Sequence, residues 1–202
     1  MITIVDYGMG NLGSMLNMFK RIDVKAHIET DPEIILHADK LVLPGVGSFD
    51  AAMKCISQTS GLREVLDQKA LKECIPVLGV CLGMQLFTRG SEEGRLPGLS
   101  WIPADTTRFS KNSDLKVPHM GWNVAQPQTP SELTVDVGIE PRYYFVHSYC
   151  VHVDDPAHSL MQTHYGIHFD SAIGRDNIYG MQFHPEKSHR FGMQILKNFA
   201  AL

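Results

Sequence analysis

Between residues 2 and 87 short apolar runs alternate with stretches of helical period, and this alternation restricts the chain to a layered α/β fold. Residues 2–5 form an apolar run that ends in Asp6 and a glycine-rich loop, the pattern of a buried strand. Leu12, Met15, Leu16, Met18, Phe19 and Ile22 then recur at helical spacing. Residues 25–29 and 40–43 read as further strands, the second stopped by Pro44-Gly45, and residues 48–58 and 62–71 read as helices. Residues 75–80 read as another buried strand, leading directly into Cys81 and a helical stretch through Phe87. Strands alternating with helices predict a central, mostly parallel sheet flanked by helices.

The carboxyl half has a different grammar. Residues 143–145, 149–153, 159–165, 169–173 and 178–183 are short β-like runs separated by turn residues, which predicts an antiparallel extension of the sheet. Residues 191–199 place Phe191, Ile195, Leu196 and Phe199 on one helical face. At 202 residues, with no linker, repeat or low-complexity tract, the chain is expected to form a single domain, 1–202. A net charge of −4 without long runs of one sign argues against a surface for nucleic acid or anionic lipid. The opening Met1-Ile2-Thr3-Ile4 lacks the basic segment of a signal peptide, and no apolar run is long enough to span a bilayer, so the expected setting is cytoplasmic. Four cysteines without paired spacing suggest free thiols and neither a zinc ribbon nor a disulfide-exchange motif. No metal and no cofactor are expected.

One of those thiols stands apart. In Gly79-Val80-Cys81-Leu82-Gly83 small residues between a strand and a helix permit a tight turn that lifts the central side chain over the sheet edge. The amino end of the following helix would favour the thiolate, and the Leu82 N–H would point at an oxyanion formed by attack of Cys81 on a carbonyl. A buried cysteine is more often only a small hydrophobe, and Cys55, Cys74 and Cys150 are read that way. A nucleophilic thiol needs a base oriented by an acceptor. Of ten histidines, His184 is the best placed: Phe183-His184-Pro185-Glu186 ends an apolar strand, and strand alternation would put Glu186 on the same side as His184.

With these residues in view, Gly79-Val80-Cys81-Leu82-Gly83-Met84-Gln85 and Gln182-Phe183-His184-Pro185-Glu186 resemble the signature of class I glutamine amidotransferases, an α/β family with a flavodoxin-like sheet. Asp6-Tyr7-Gly8-Met9-Gly10-Asn11, Leu43-Pro44-Gly45-Val46-Gly47, Pro118-His119-Met120-Gly121-Trp122-Asn123 and Tyr144-Phe145-Val146-His147-Ser148-Tyr149 are similar to blocks of one subfamily. It comprises the glutaminase subunits of imidazole glycerol phosphate synthase, from histidine biosynthesis. The resemblance implies hydrolysis of glutamine to glutamate and ammonia through a γ-glutamyl thioester on Cys81, with His184 and Glu186 completing the triad. It further implies backbone N–H donors to the oxyanion at Leu82 and at Val46 or Gly47. Gln85, His147, Ser148 and Tyr149 would hold the substrate. A (β/α)8 cyclase would be the partner in a heterodimer, with Asn11 and Trp122 among the contacts.

Competing readings remain open on the sequence. Residues 187–193 are similar to paralogues that feed ammonia to an amino-sugar amidotransferase in surface-polysaccharide synthesis. The same triad would serve a stand-alone cysteine hydrolase. Gly8-x-Gly10-x-x-Gly13, with Glu29 near the end of the second strand, matches a dinucleotide-binding fingerprint on spacing, although little chain is left for a separate substrate domain. His164 and His168 have a metal-ligand spacing for a helix but lie in a strand or turn pattern without a third ligand.

Overall fold

The computed structural model describes residues 1–109 and 115–202. Its first half runs β1 (Ile2–Val5), α1 (Leu12–Arg21), β2 (Ala26–Glu29), α2 (Pro32–Ile35), β3 (Lys40–Gly45), α3 (Phe49–Gln58), α4 (Leu62–Asp67), β4 (Val77–Cys81) and α5 (Leu82–Leu86). The strands lie in the order β2-β1-β3-β4, all parallel. The second half adds β5 (Ala104–Arg108), β6 (His119–Val124), β7 (Gln126–Pro127), β8 (Arg142–His147), β9 (Tyr149–Val153), β10 (Ser159–Tyr165), β11 (Ile167–Arg175), β12 (Ile178–Met181) and α6 (His189–Ala201). β12 continues the parallel sheet beside β4, and β11, β10 and β7 extend it antiparallel. β9 joins β11 and carries β5, while β6 and β8 form a separate antiparallel ribbon. The mixed α/β architecture matches the expectation, and no helix among the described residues is long and apolar enough to cross a membrane.

The central parallel strands β1, β3 and β4 each feed two apolar layers, which is why they read as hydrophobic runs. Ile4, Val42, Leu78 and Val80 pack on one side with Met15 and Phe19 of α1 and Ile195, Leu196 and Phe199 of α6. Val5, Leu41, Leu43 and Val77 pack on the other with Phe49, Met53 and Ile56 of α3, Leu66 of α4 and Phe87 after α5. Asn11 begins α1, its side chain accepting from Ser14 N–H at 3.3 Å, and Lys20 and Arg21 occupy the last turn where the helix dipole favours cations.

The structure changes several boundaries. Pro44-Gly45 does not stop β3: these residues pair with Val80 and Cys81. Beyond Val42 the β1 register has ended, so the missing N–H of Pro44 falls where β3 has only β4 beside it. The expected helix 62–71 is α4 followed by a π-helical turn, Gln68–Lys72, in which Lys69 is 4% exposed and pairs with Glu73. Strands β5, β6 and β7 and the single-turn α2 have no clear apolar period to reveal them. Cys74 is exposed at φ 52° rather than a buried hydrophobe, and Cys55 is partly exposed.

Candidate active site

Three adjacent parallel strands end at one place. The carboxyl end of β3 delivers Gly45-Val46-Gly47, that of β4 delivers Cys81, and the chain beyond β12 delivers His184. Crevices at the carboxyl ends of parallel strands are where open α/β sheets bind ligands.

Cys81 sits at φ 56°, ψ −109°, a backbone region that L residues rarely adopt. Its neighbours explain how it is held there. A Cβ on Gly79 would lie 2.6 Å from Gly83 C and from Phe87 Cε2, and a Cβ on Gly83 would collide with the Leu43 carbonyl oxygen. Both positions must be bare for α5 to fold back against β3 and β4. The turn therefore imposes strain on Cys81, a residue that lines the cavity.

His184 and Glu186 meet at 2.8 Å, Nδ1 to Oε1, with side chains 3% and 5% exposed. Strand alternation is not the cause, contrary to expectation. β12 ends at Met181, and a 3-10 turn, Pro185–Lys187, with His184 at its head, swings Glu186 back to the ring. The His184 backbone is pinned twice: its N–H donates to Tyr144 O at 2.9 Å, and its carbonyl accepts from Ser188 Oγ at 2.6 Å. Ser188 Oγ in turn accepts from Tyr144 N–H at 3.0 Å. Burial opposes a charge on His184, but the Cys81 sulfur and then Glu186 outweigh it and lift its pKa to about 10. A histidine in that state carries a proton that it can hand to a departing amine.

The cavity over Cys81 has a volume of about 350 Å³. Val46, Gly47, Leu82, Gln85, His147, Ser148 and Tyr149 all line it, so these candidate residues converge with Cys81 and His184. Leu82 is the first residue of α5, where an N–H has no intrahelical acceptor. Asn11 and Trp122 lie outside the cavity: Asn11 caps α1, and Trp122 is 48% exposed and stacked on His189.

His147 belongs to a buried chain that fixes every tautomer. Its Nδ1 lies 2.6 Å from Tyr149 O and must carry the proton there. Its Nε2 then accepts from His119 Nδ1 at 2.9 Å, and His119 Nε2 accepts from Asn123 Nδ2 at 3.2 Å. Burial chiefly, with His119 and His184 nearby and despite the Tyr149 bond, pushes His147 down to about 3, while burial pushes His119 down to about 4. The cavity is thus lined by one imidazole held neutral, His147 backed by His119, and by one held charged, His184.

These shifts predict a stability maximum near neutral pH. The raised His184 contributes stability that is complete below its unfolded value near 6.5 and lost as pH rises toward about 10. The depressed His119 and His147 contribute a stability that is lost as pH falls below 6.5 toward about 4 and about 3. Urea midpoints should decline on both flanks, and His184→Asn should flatten the alkaline one alone.

Sequence reasoning missed four neighbours of the site. Glu93 lines the cavity mouth and its Oε2 accepts from Phe49 N–H at 2.9 Å. His119 and Ser188 act through His147 and His184, and no spacing rule marks such contacts. Gln182, fully buried, donates from Nε2 to the Cys81 sulfur at 3.6 Å. An amide in the apolar stretch Ile178–Phe183 is the one available signal.

The decoys resolve into turns and packing. In a dinucleotide fingerprint the third glycine permits close helix–strand packing, yet Gly13 has no heavy atom within 4 Å of where a Cβ would lie. The Glu29 carboxylate is engaged by Thr30 and Asp31 N–H at 2.8 and 2.9 Å. His164 and His168 face each other across the β10–β11 turn with ring centres 4.8 Å apart, and no group of three potential metal ligands gathers among the described residues.

The elbow thiol, the His–Glu pair and the layered sheet define a class, and comparison with known proteins agrees. The family model for glutamine amidotransferase class-I matches residues 3–202, and the chain belongs to that family of enzymes. Among its relatives is a Pseudomonas aeruginosa protein named imidazole glycerol phosphate synthase subunit HisH 2, 49% identical over the whole length of both chains. A Methanococcus maripaludis protein of the same name is 50% identical over 98% of each, and the Bdellovibrio bacteriovorus subunit HisH is 42% identical over the whole length of both. In fold, the chain superposes on a Thermotoga maritima glutamine amidotransferase with TM-score 0.64 at 17% identity, covering 98% of this chain and 81% of the other. It superposes on PurLQS of the same organism with TM-score 0.73 at 12% identity, covering 98% and 96%.

Proposed function

We propose that the chain is the glutaminase subunit of an imidazole glycerol phosphate synthase, acting as one domain over residues 1–202 in a reducing cytoplasm. The observation that carries this is the strained Cys81 facing the His184–Glu186 pair, in a chain whose full-length relatives bear that subunit's name. Cys81 Sγ attacks the side-chain carbonyl carbon of glutamine. The oxyanion is met by the Leu82 N–H and a backbone N–H of Val46 or Gly47, all at the cavity surface. As the tetrahedral species collapses, the C–N bond breaks and His184 gives its proton to the leaving ammonia. A γ-glutamyl thioester remains. Water, losing a proton to His184, hydrolyses it to glutamate and frees the thiol. Glu186 keeps the imidazole in register throughout. Gln85 and the wall of His147, Ser148 and Tyr149 hold the amino-acid end of the substrate, with Glu93 offering a carboxylate to its ammonium.

Ammonia is useful to a synthase only when it is delivered before it is protonated by bulk water. A cyclase subunit seated over the mouth would serve that purpose, and exposed apolar side chains support such a contact: Val46, which lines the cavity, at 46%, and Met120 at 61% and Trp122 at 48% on β6. Asn11, at the head of α1, belongs to the same proposed contact. The test measures glutamate formed from glutamine by the chain alone, with the cyclase and its nucleotide ligand, and with an amino-sugar amidotransferase. Weak activity alone and strong stimulation by the cyclase are expected. Stimulation by the sugar enzyme instead would move the chain to the paralogous role, and efficient partner-independent hydrolysis of peptides would overturn the reading.

A further inference from the structure

Gln182 is a buried polar side chain to which the glutaminase chemistry assigns no role. Its backbone is held, the N–H donating to Ser171 O at 2.9 Å just beyond the last paired residue of β12. Continuing the register in which Met181 lies opposite Val80 sets Gln182 opposite Cys81. Its side chain then bridges two groups of the site. Nε2 donates to Cys81 Sγ at 3.6 Å, and Oε1 accepts from Gln85 Nε2 at 3.0 Å. Gln182 is 0% and Gln85 5% exposed, so neither amide has bulk water as an alternative partner.

The direction of this chain follows from chemistry. A sulfur ready to attack carries no proton and can only accept, so the group facing it must be an N–H. That turns the Gln182 oxygen toward Gln85. Gln85 then spends one of its two N–H groups on Gln182, and its Oε1 is the acceptor that it can offer to the cavity it lines.

We propose that Gln182 couples the nucleophile to the substrate site, donating to the attacking sulfur with one end of its amide and fixing Gln85 with the other as an acceptor for an N–H-bearing group of the substrate. This rests on the glutaminase reading for the identity of the substrate, but not for the contact with sulfur. Around that sulfur the other titratable side chains are His184, backed by Glu186, and Tyr7, which donates to Pro44 O at 2.8 Å and is raised by burial and by Cys81 and Cys55.

The two bonds can be separated by substitution. In Gln182→Met both are lost. Alkylation of Cys81 by iodoacetamide at neutral pH should slow by about tenfold, the scale of a hydrogen bond to a charged group. The pH midpoint of alkylation should move up, and KM for glutamine in the complex with the synthase partner should rise. In Gln182→Glu the acceptor for Gln85 is kept while a carboxylate replaces the donor. The alkylation midpoint should move up further, with KM much closer to wild type. A merely structural role would lower the melting temperature of both variants and move neither the midpoint nor the ratio of their KM values. Unchanged midpoints in both variants would overturn the proposal. Wild-type protein provides a check independent of folding of the variants: with 15N-labelled glutamine side chains, the Gln182 amide resonances should titrate at the alkylation midpoint, and their failure to shift would overturn the proposal equally. If the glutaminase reading itself were wrong, the wild-type chain would release no ammonia from glutamine with any partner, whereas the alkylation and resonance measurements need no glutamine.

Discussion

Replacing Cys81 with glycine should abolish glutamine hydrolysis and yet leave a more stable protein than replacing it with alanine. Loss of the nucleophile should cost about 10⁴-fold or more in rate in either variant, what remains coming from binding and oxyanion stabilisation alone. Stability should separate them. At φ 56°, ψ −109° a side chain of any kind is strained, by about 1–3 kcal/mol for such regions. Alanine keeps that strain and glycine removes it, against about 0.5–1 kcal/mol of extra backbone entropy lost on folding. Both lose the same buried thiol, so the difference between the variants reports the backbone strain set against the one methyl group that glycine also gives up. Urea unfolding should place Cys81→Gly above Cys81→Ala by about 1 kcal/mol, the reverse of the usual order of these residues. Equal or inverted midpoints would mean that the turn carries no strain.

The largest loss of stability should come from a single methyl group at Gly83. A Cβ there, fixed by the backbone, would run into the Leu43 carbonyl oxygen, itself backbone, so no flexible side chain can swing aside. Relief requires α5 to move off β3, which would shift Leu82 and Gln85 as well as Cys81. Overpacking usually costs about 1–3 kcal/mol, and a backbone-on-backbone collision inside a sheet–helix contact belongs at or beyond the upper end. Gly83→Ala should therefore lower the urea midpoint severely and remove activity even in the fraction that folds. Gly13→Ala is the control. Gly13 lies in α1 with nothing within 4 Å of the new methyl group, so the helix should gain up to about 1 kcal/mol. Comparable effects at the two glycines would contradict the packing described for the elbow.

Much of the fold is legible in the order of residues. The runs at 2–5, 149–153 and 159–165 coincide with β1, β9 and β10. For β1 the reason is that a parallel strand buried on both faces must be apolar throughout, while the antiparallel, partly exposed β9 and β10 are marked by the turn residues that bound them, such as Asp-Asp-Pro and Tyr-Gly. Segments whose place depends on distant partners are illegible. β6 alternates a buried His119 with exposed Met120 and Trp122, so its pairing with β8 has no hydrophobic signature. Strand alternation predicts the proximity of His184 and Glu186 for the wrong reason, because i and i+2 neighbours arise from a 3-10 turn as readily as from a strand.

By itself the sequence determined most of the parallel-sheet elements, the elbow and the residue types of the proposed triad. Those depend on local chemistry: glycines where a Cβ cannot fit, a thiol between them, and an imidazole with a carboxylate two residues on. Only the tertiary structure decided which strands became neighbours. Placing β3, β4 and β12 side by side brings Gly47, Cys81, Gln182 and His184 into one crevice from positions more than a hundred residues apart. The electrostatics were decided there too. A histidine's own chain neighbours do not say whether burial will keep it neutral, as at His119 and His147, or a sulfur and a carboxylate will keep it charged, as at His184.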